Sequence, residues 1–198
     1  MHALRPENRA ASLCDFRRVM HDVGHNRMNL EIRSLKESDR DWARAVLTER
    51  WGSARMITRG MLHQADKLPG FVALSDGTRK GLVTYRISDS ECEIITLDSL
   101  QERRGLGTAL LDAVRALAHE QACRRLWLVT TNDNSPAQQF YQNRGFSISA
   151  IHKNAIAESR RLKPEIPERG IDGIPIQDEG ELELRMDEVP NQALDGTA

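Results

Sequence analysis

Residues 101–111 have the sequence Gln-Glu-Arg-Arg-Gly-Leu-Gly-Thr-Ala-Leu-Leu. The segment from Cys92 to Leu100 precedes them and is predicted to be a strand. Apolar residues at helical spacing follow and predict one face of a long helix: Leu110, Leu111, Val114, Leu117 and Ala118. Gly105 and Gly107 therefore lie in a tight turn, where glycine lets a ligand approach the backbone. Unpaired N–H groups and the helix dipole make such a turn a cradle for pyrophosphate.

Two glycines before a helix also fit the dinucleotide-binding pattern G-x-G-x-x-G. Here the third position is Leu110, and the turn follows a predicted hairpin instead of lying near the chain start. Asp133, after the next predicted strand, is in position to mimic the acidic residue that binds a ribose. This interpretation stays open as an alternative. In both cases Arg103 and Arg104 add positive charge beside the turn.

The rest of the chain predicts strands mixed with helices. Helices are predicted from the start signal at 38–41 to Trp51, over Thr58 to Ala65, and from Pro136 to Asn143. Strands are predicted over 29–35, 71–74, 82–87, 126–130, 146–151 and 181–186. The prolines of Glu158 to Gly180 predict a loop without regular helix. A loop this long is either functional or a solvated excursion.

The glycine turn resembles motif A of the GNAT superfamily of acetyltransferases, Q/R-x-x-G-x-G/A, with Arg104, Gly107 and Ala109 in the defining positions. Residues 134–146, Asn-Ser-Pro-Ala-Gln-Gln-Phe-Tyr-Gln-Asn-Arg-Gly-Phe, resemble motif B, N-x-x-A-x-x-x-Y-x-x-x-G-F. Two motifs at the expected separation are more specific than either alone. The resemblance covers about 29–189, and its last part is similar to a bacterial subgroup of unknown substrate.

The resemblance implies an α/β chain of mixed α+β type: a mixed, mostly antiparallel sheet of six to seven strands flanked by about four helices. Its fourth and fifth strands would be parallel and splayed, with acetyl-CoA entering the gap as cosubstrate and no metal. Backbone groups of Leu97, Asp98 and Ser99 would pair with the pantetheine arm. Asn134 would line the cofactor near the fifth strand. The pyrophosphate would be held at Arg103, Arg104, Gly105, Leu106, Gly107, Thr108 and Ala109.

The resemblance also suggests catalytic residues. Tyr141 has the position of the general acid for the leaving thiolate; the alternative is an aromatic packed beside Phe140. Because an alkyl amine with a pKa near 10.4 is only about one part in a few thousand neutral at pH 7, a proton must be accepted. Glu93 aligns with the glutamate that serves as base in some members, directly or through a water. The alternatives are a solvent-facing Glu93, Glu91 or Asp98 in that role, or ordered waters alone as the base.

The acceptor, a small-molecule or protein amine, would bind opposite the cofactor arm, near the early helices and the loop Arg161 to Gly180. Arg160, Arg161 and Lys163 either bind an acidic substrate group or solvate the loop. Dimers are frequent among similar proteins, but the sequence has no interface signature. An alternative from a different functional class is a non-catalytic module that binds acyl-CoA and serves in regulation or interaction.

Composition, net charge and cysteine content argue against other classes of protein. The 198 residues are 39% hydrophobic and 29% charged, which is typical of a soluble globular domain. A net charge of -1 disfavours nucleic acid as a partner, and the absence of a long apolar run disfavours a membrane span. Three cysteines without a CxxC pair favour a reducing compartment, so we expect a cytoplasmic protein.

We expect residues 1–27 to be an N-terminal extension, 28–189 the catalytic domain and 190–198 a tail. Translation starting at Met20 or Met28 would make the extension dispensable. His21 and His25 have the i, i+4 spacing of metal ligands but no third ligand, so they are predicted to be surface residues. Core positions are predicted for Cys92, Cys123 and Trp127.

Overall fold

The computed structural model describes residues 29–101 and 104–186. The predictions for the extension, the tail, Met20, Met28, His21, His25 and Arg103 lie outside the described residues. No helix in the described ranges is long and apolar enough to cross a membrane.

The described chain alternates strands with helices. The strands are β1 (Leu30–Ser34), β2 (Arg55–Thr58), β3 (Met61–Gln64), β4 (Gly70–Ser75), β5 (Thr78–Ser88), β6 (Glu91–Ser99), β7 (Arg125–Thr131), β8 (Ser147–His152) and β9 (Glu179–Arg185). The α-helices are α1 (Arg40–Trp51), α2 (Leu106–Glu120), α3 (Ser135–Gln142) and α4 (Ala155–Leu162). Short 3-10 turns lie at Glu37–Asp39, Ala65–Lys67 and Ile171–Gly173.

Seven strands form one sheet in the order β1-β4-β5-β6-β7-β9-β8, and β2 pairs with β3 in a separate hairpin. β6 and β7 run parallel, joined through α2, and the other pairings are antiparallel. The predicted mixed, mostly antiparallel sheet with one parallel pair and four flanking helices is therefore confirmed.

The parallel pair separates after a short ladder. Only Glu91–Ile94 of β6 pair with β7, although β6 continues to Ser99. Immediately beyond the ladder, Ile95 is an extra residue in the register of β6 against β5. A bulge of this kind bends its strand. The bend opens a gap between the carboxyl ends of β6 and β7, as the predicted splay requires.

Apolar layers cover both faces of the sheet. On one face, α2 buries Leu110 and Val114 against β4, β5 and β6. On the other face, α1 buries Ala43 and Leu47 against Leu82 of β5. Because side chains alternate along a strand, neighbouring residues of β5 contribute to different layers. The gap between β6 and β7 therefore has the α2 layer on one face of the sheet and the α1 layer on the other.

The helix predicted over Thr58 to Ala65 is wrong, because most of this segment belongs to the β2–β3 hairpin. Arg59 and Gly60 have φ of 50° and 74°. Two successive left-handed residues form the turn that two-residue hairpins favour. The turn therefore overrides the apolar spacing that suggested a helix.

The loop predicted over Glu158 to Gly180 is wrong at its start, where residues up to Leu162 belong to α4. The ring of Pro164 disfavours helical backbone at Lys163, which has φ −135° and ψ 83°. The prolines therefore end the helix without preventing it. The chain from Lys163 to β9 is irregular apart from its 3-10 turn.

Candidate active site

The start of α2 has the geometry of an anion cradle. Gly105 is the N-cap and adopts left-handed backbone with φ 75°. The first bond of the helix runs from the Ala109 amide to the Gly105 carbonyl, at 2.9 Å. The amides of Leu106, Gly107 and Thr108 precede that bond and lack helical partners. The first turn of α2, all of it described, has no acidic side chain to offset its partial positive charge.

The two glycines of the turn have different reasons to be glycine. Gly105 needs its left-handed φ, although a Cβ there would meet nothing within 4 Å. Gly107 has helical backbone, and a Cβ there would lie 3.5 Å from the side chains of Leu97 and Phe140. Neither packing nor backbone therefore demands glycine at 107, but its absent side chain keeps the approach to the amides open. Arg104 is exposed beside the turn.

The two motifs are bonded to each other. Arg144 of motif B donates to the Thr108 hydroxyl at 2.7 Å and to the Phe140 carbonyl at 2.7 Å. Its guanidinium lies 3.7 Å from the centre of the Phe140 ring. Asn134 caps α3 by accepting from the Ala137 amide at 3.2 Å. Arg144 thus ties the start of α2 to α3, which follows β7 on the other side of the gap.

The free edge of β6 offers backbone groups to the gap. The Leu100 amide donates to the Lys80 carbonyl of β5 at 2.8 Å. Alternation along an antiparallel ladder turns the backbone of Asp98 toward β5 as well, and turns Leu97 and Ser99 toward the gap. The Ser99 carbonyl accepts from Arg50 at 2.9 Å.

Tyr141 lies in the apolar core beside the gap. Its ring packs edge-on against Phe140 and Phe146, with centroids 5.1 Å and 5.4 Å apart. Burial raises the pKa of Tyr141 above its ordinary value, and the negative charge of Asp98 adds to the shift. The phenol therefore stays protonated at neutral pH and can donate. Packing beside Phe140, the alternative considered from the sequence, is also present.

Glu93 lies on the face of β6 opposite to the one that Tyr141 covers. It is only 3% exposed, so it does not face solvent. Its Oε1 accepts from the Thr58 hydroxyl at 2.6 Å, and its Oε2 lies 3.7 Å from Arg86 Nε. Burial raises the pKa of Glu93, while Thr58 and the charges of Arg86 and Arg59 oppose the rise. The Glu93 carboxylate is therefore more basic than that of an ordinary glutamate, which is the direction that a general base requires.

The competing carboxylates have different surroundings. Glu91 is tied to Arg125 at 2.9 Å. Asp98 accepts from Trp51 Nε1 at 3.0 Å, while its Oδ2 is buried with no partner among the described residues. Burial raises the pKa of Asp98 to about 6, against the lowering effect of Trp51 and Arg50.

Sequence reasoning missed two buried polar side chains near Glu93. Thr58 lies at the end of β2 and His63 lies in β3, with His63 Nε2 2.9 Å from the Thr58 hydroxyl oxygen. Both are buried under the hairpin. Gly60 was the available signal, because a glycine between two short strand-like runs marks a turn.

Charged groups lie around Glu93 on its face of the sheet. Arg125 of β7 donates to Glu181 and Glu183 of β9, each at 2.8 Å. Trp127 is buried as predicted, with the guanidinium groups of Arg59 and Arg125 over its ring at 5.6 Å and 4.9 Å. The charges on this face are therefore largely paired within the chain.

The basic side chains of Arg160 and Lys163 hold the loop after α4 in place. Arg160 donates to the carbonyls of Ile166, Pro167 and Ile176. The Lys163 amine donates to the Arg55 carbonyl at 2.8 Å. Arg161 pairs with Glu158 on the surface. Arg160 and Lys163 thus fasten α4 and the loop over the hairpin, a role that the sequence did not suggest.

The described residues contain no group of three or more His, Cys, Asp or Glu side chains arranged for a metal ion. Cys92 and Cys123 are buried free thiols, as predicted. Burial raises the pKa of both thiols, which opposes a nucleophilic role.

Comparison with known proteins gives one family. The sequence model described as "Acetyltransferase (GNAT) family" matches residues 34–146. The uncharacterized protein YdhI of Bacillus subtilis is 46% identical over 130 residues, which are 65% of this chain and 81% of YdhI. The uncharacterized protein YxbD of the same organism is 39% identical over 141 residues, 71% of this chain and 89% of YxbD.

Solved structures share the fold at low identity. The ribosomal-protein-S18-alanine N-acetyltransferase from Escherichia coli has a TM-score of 0.56 at 17% identity, covering 83% of this chain and 99% of that one. A GNAT family acetyltransferase from Elizabethkingia anophelis, solved with acetyl-CoA bound, has a TM-score of 0.57 at 20% identity, covering 79% and 98%.

Proposed function

This chain belongs to the acetyltransferase (GNAT) family, and from that premise we propose that it transfers an acetyl group from acetyl-CoA to a primary amine by direct attack. The acceptor is a small molecule or a protein, and the activity is assigned to residues 28–189. The observation that carries the proposal is the gap beyond Ile94, where β6 and β7 separate. The cradle turn lies against β6 beyond that point, because a Cβ at Gly107 would lie 3.5 Å from the Leu97 side chain, and Tyr141 and Glu93 lie on opposite faces of β6.

Acetyl-CoA fits the groups that line the gap. The amides of Leu106, Gly107 and Thr108 would take the pyrophosphate, with Gly105 shaping the turn, and with charge from Arg103 and Arg104. Ala109 closes the first helical bond beneath them. The protein from Elizabethkingia anophelis was solved with acetyl-CoA in the same fold, which supports this choice of cosubstrate.

The pantetheine arm would follow the free edge of β6. Leu97 and Ser99 present backbone groups there, as an added strand requires. Asp98 would contribute through its side chain, whose Oδ2 is buried without a partner among the described residues. Asn134 would line the cofactor from the β7 side.

The proposed reaction has one proton acceptor and one proton donor. Glu93 takes a proton from the amine, directly or through a water, because the amine is mostly protonated at pH 7. The amine nitrogen bonds to the thioester carbonyl carbon, and the carbon–sulfur bond breaks. Tyr141 gives its proton to the leaving thiolate, the nitrogen loses its second proton through solvent, which restores the phenol, and Glu93 releases its own proton to solvent. The products are an N-acetylated amine and free CoA.

The first test is a thermal-shift titration with acetyl-CoA, with NADH as the control. Saturation at 100 times Kd should add about 2.7 kcal/mol of stability. Thiol release with a panel of small amines and peptides then measures turnover. A shift with NADH instead of acetyl-CoA would contradict the proposal in favour of a dinucleotide site. Saturable acetyl-CoA binding with no turnover on any amine would favour a non-catalytic acyl-CoA-binding module.

A further inference from the structure

Three buried side chains, those of His63, Thr58 and Glu93, form a hydrogen-bonded line on the Glu93 face of the sheet. His63 Nε2 lies 2.9 Å from the Thr58 hydroxyl, which lies 2.6 Å from Glu93 Oε1. All three are at most 7% exposed. Two come from the β2–β3 hairpin and one from β6, so the line joins elements far apart in sequence.

The chemistry of the three groups fixes the direction of both bonds. An ionised Glu93 only accepts, so the single hydroxyl proton of Thr58 points to Glu93. The Thr58 oxygen must then accept from His63. Burial lowers the pKa of His63, and the charge of Arg86 adds to the effect. A neutral imidazole carries one N–H, and this network assigns it to Nε2.

Other charged groups face Glu93 from each neighbouring element. Arg86 of β5 lies 3.7 Å away, and Arg59 acts from the hairpin turn. Glu181 of β9 opposes them, although it is paired with Arg125. Among the described residues, only Thr58 donates a side-chain hydrogen bond to the Glu93 carboxylate. The hydroxyl is therefore the contact best placed to orient the carboxylate.

We propose that Thr58 and His63 are positioning residues for Glu93: they hold Oε1 and leave Oε2 toward the proton of the acceptor amine. The hairpin is then a working part of the acceptor side of the site and more than a cover. This inference deepens the proposed function and rests on the role given there to Glu93.

The test measures the Glu93 carboxyl directly, so it requires no acceptor. The carbon-13 signal of Glu93, assigned by its loss in Glu93→Gln, is titrated in the free protein. A hydrogen bond to a charged group is worth enough to move a pKa by about one to two units. Thr58→Val should raise the pKa of Glu93 by about that amount, Thr58→Ser should restore it, and His63→Leu should give a smaller rise.

Binding of acetyl-CoA to each variant reports that the gap is intact. An unchanged Glu93 pKa in both Thr58→Val and His63→Leu, with normal acetyl-CoA binding, would overturn the inference. If Thr58→Val does not fold, His63→Leu with His63→Gln as its rescue gives the same decision, because the glutamine amide can donate in place of Nε2–H. A shifted pKa in Thr58→Val together with full turnover in Glu93→Gln would support the hydrogen-bonded line and refute the proposed base.

Discussion

The two sides of the gap between β6 and β7 are built by different means. On the proposed cofactor side, the candidate ligand groups are backbone amides of one short turn, Gly105 to Thr108, and a nearby helix cap. On the proposed acceptor side, the carboxylate of Glu93 is held by Thr58, 35 residues away, and flanked by three charged groups, those of Arg86, Arg59 and Glu181. Backbone donors stay where the turn puts them, whereas a buried polar network depends on each of its members.

The comparison separates two kinds of sensitivity. Changes on the cofactor side should alter acetyl-CoA affinity or thiolate protonation and leave the buried charges intact. On the acceptor side, removing one member leaves a buried charge without its partner, which typically costs 3–5 kcal/mol when an ion pair is broken. Four substitutions test this division.

The largest effect is expected for Glu93→Gln. Because glutamine cannot accept the proton of the amine, kcat at pH 7 should fall by about 10²–10⁴-fold. The Kd of acetyl-CoA should stay within about twofold, since Glu93 lies on the other face of β6. Steady-state thiol release and calorimetric titration measure the two quantities. Glu91→Gln is the matched control on the same strand face, and it should retain turnover. If both variants were equally impaired, the loss would come from the charge network.

Tyr141→Phe should reduce kcat by about a hundredfold, within the usual range for a proton donor. Phenylalanine keeps the ring contacts with Phe140 and Phe146, so the Tm and the Kd of acetyl-CoA should hardly change. The pH dependence of kcat should lose its contribution from the phenol. Phe140→Leu is a useful control, because it disturbs the same packing without removing a donor. Unchanged kcat in Tyr141→Phe across the pH range would refute the general-acid role.

The sequence predicts the glycine turn and its flanking strand and helix well because the information there is local. A strand, Gly105, Gly107 and an amphipathic helix adjoin one another in the chain, and local turn chemistry is enough to place them. The same is true of α3, whose cap Asn134 lies three residues before its partner amide. The sheet follows from the resemblance and from the alternating strands, and its mixed, mostly antiparallel arrangement with one parallel pair is confirmed.

The surroundings of Glu93 are predicted less well because their contacts are long-range. No local pattern shows that Thr58 meets Glu93, or that Lys163 reaches the Arg55 carbonyl 108 residues away. The apolar spacing of β2 and β3 imitates a helix until the turn at Arg59-Gly60 is given more weight. Buried position is what distinguishes Glu93 from an ordinary strand glutamate, and burial is a property of the whole fold.

Asp98→Asn tests the border between the two sides. The pKa of Asp98 is raised from 3.8 to about 6. A raised carboxyl pKa contributes stability that is fully present below the unfolded value and is lost as pH rises through the folded value. Relative to Asp98→Asn, the free energy of unfolding of the unaltered chain should fall by about 2 kcal/mol between pH 4 and pH 7. Urea unfolding at several pH values measures this difference. Parallel curves would mean that Asp98 is solvated and that the gap is wetter than its burial suggests.

Gly107→Ala gives the smallest expected effect and the sharpest test of the cradle. Its helical backbone accepts alanine, and the new methyl would lie 3.5 Å from Leu97 and Phe140, at ordinary contact distance. The Tm should hold or rise, because alanine favours helix over glycine by roughly 1 kcal/mol. The methyl would stand in the approach to the amides, so the Kd of acetyl-CoA should rise about tenfold, or roughly 1.4 kcal/mol.

Gly105→Ala is the paired control, with the opposite expectation. Its φ of 75° is left-handed, so alanine there should cost roughly 1–2 kcal/mol of stability. A Cβ at 105 meets nothing within 4 Å, so it adds no steric block. Affinity lost at 107 with stability intact, and stability lost at 105, would show that the cradle works by leaving amides uncovered. Equal acetyl-CoA affinity in Gly107→Ala and the unaltered chain would move the pyrophosphate away from this helix start, and with it the division between the two sides of the gap.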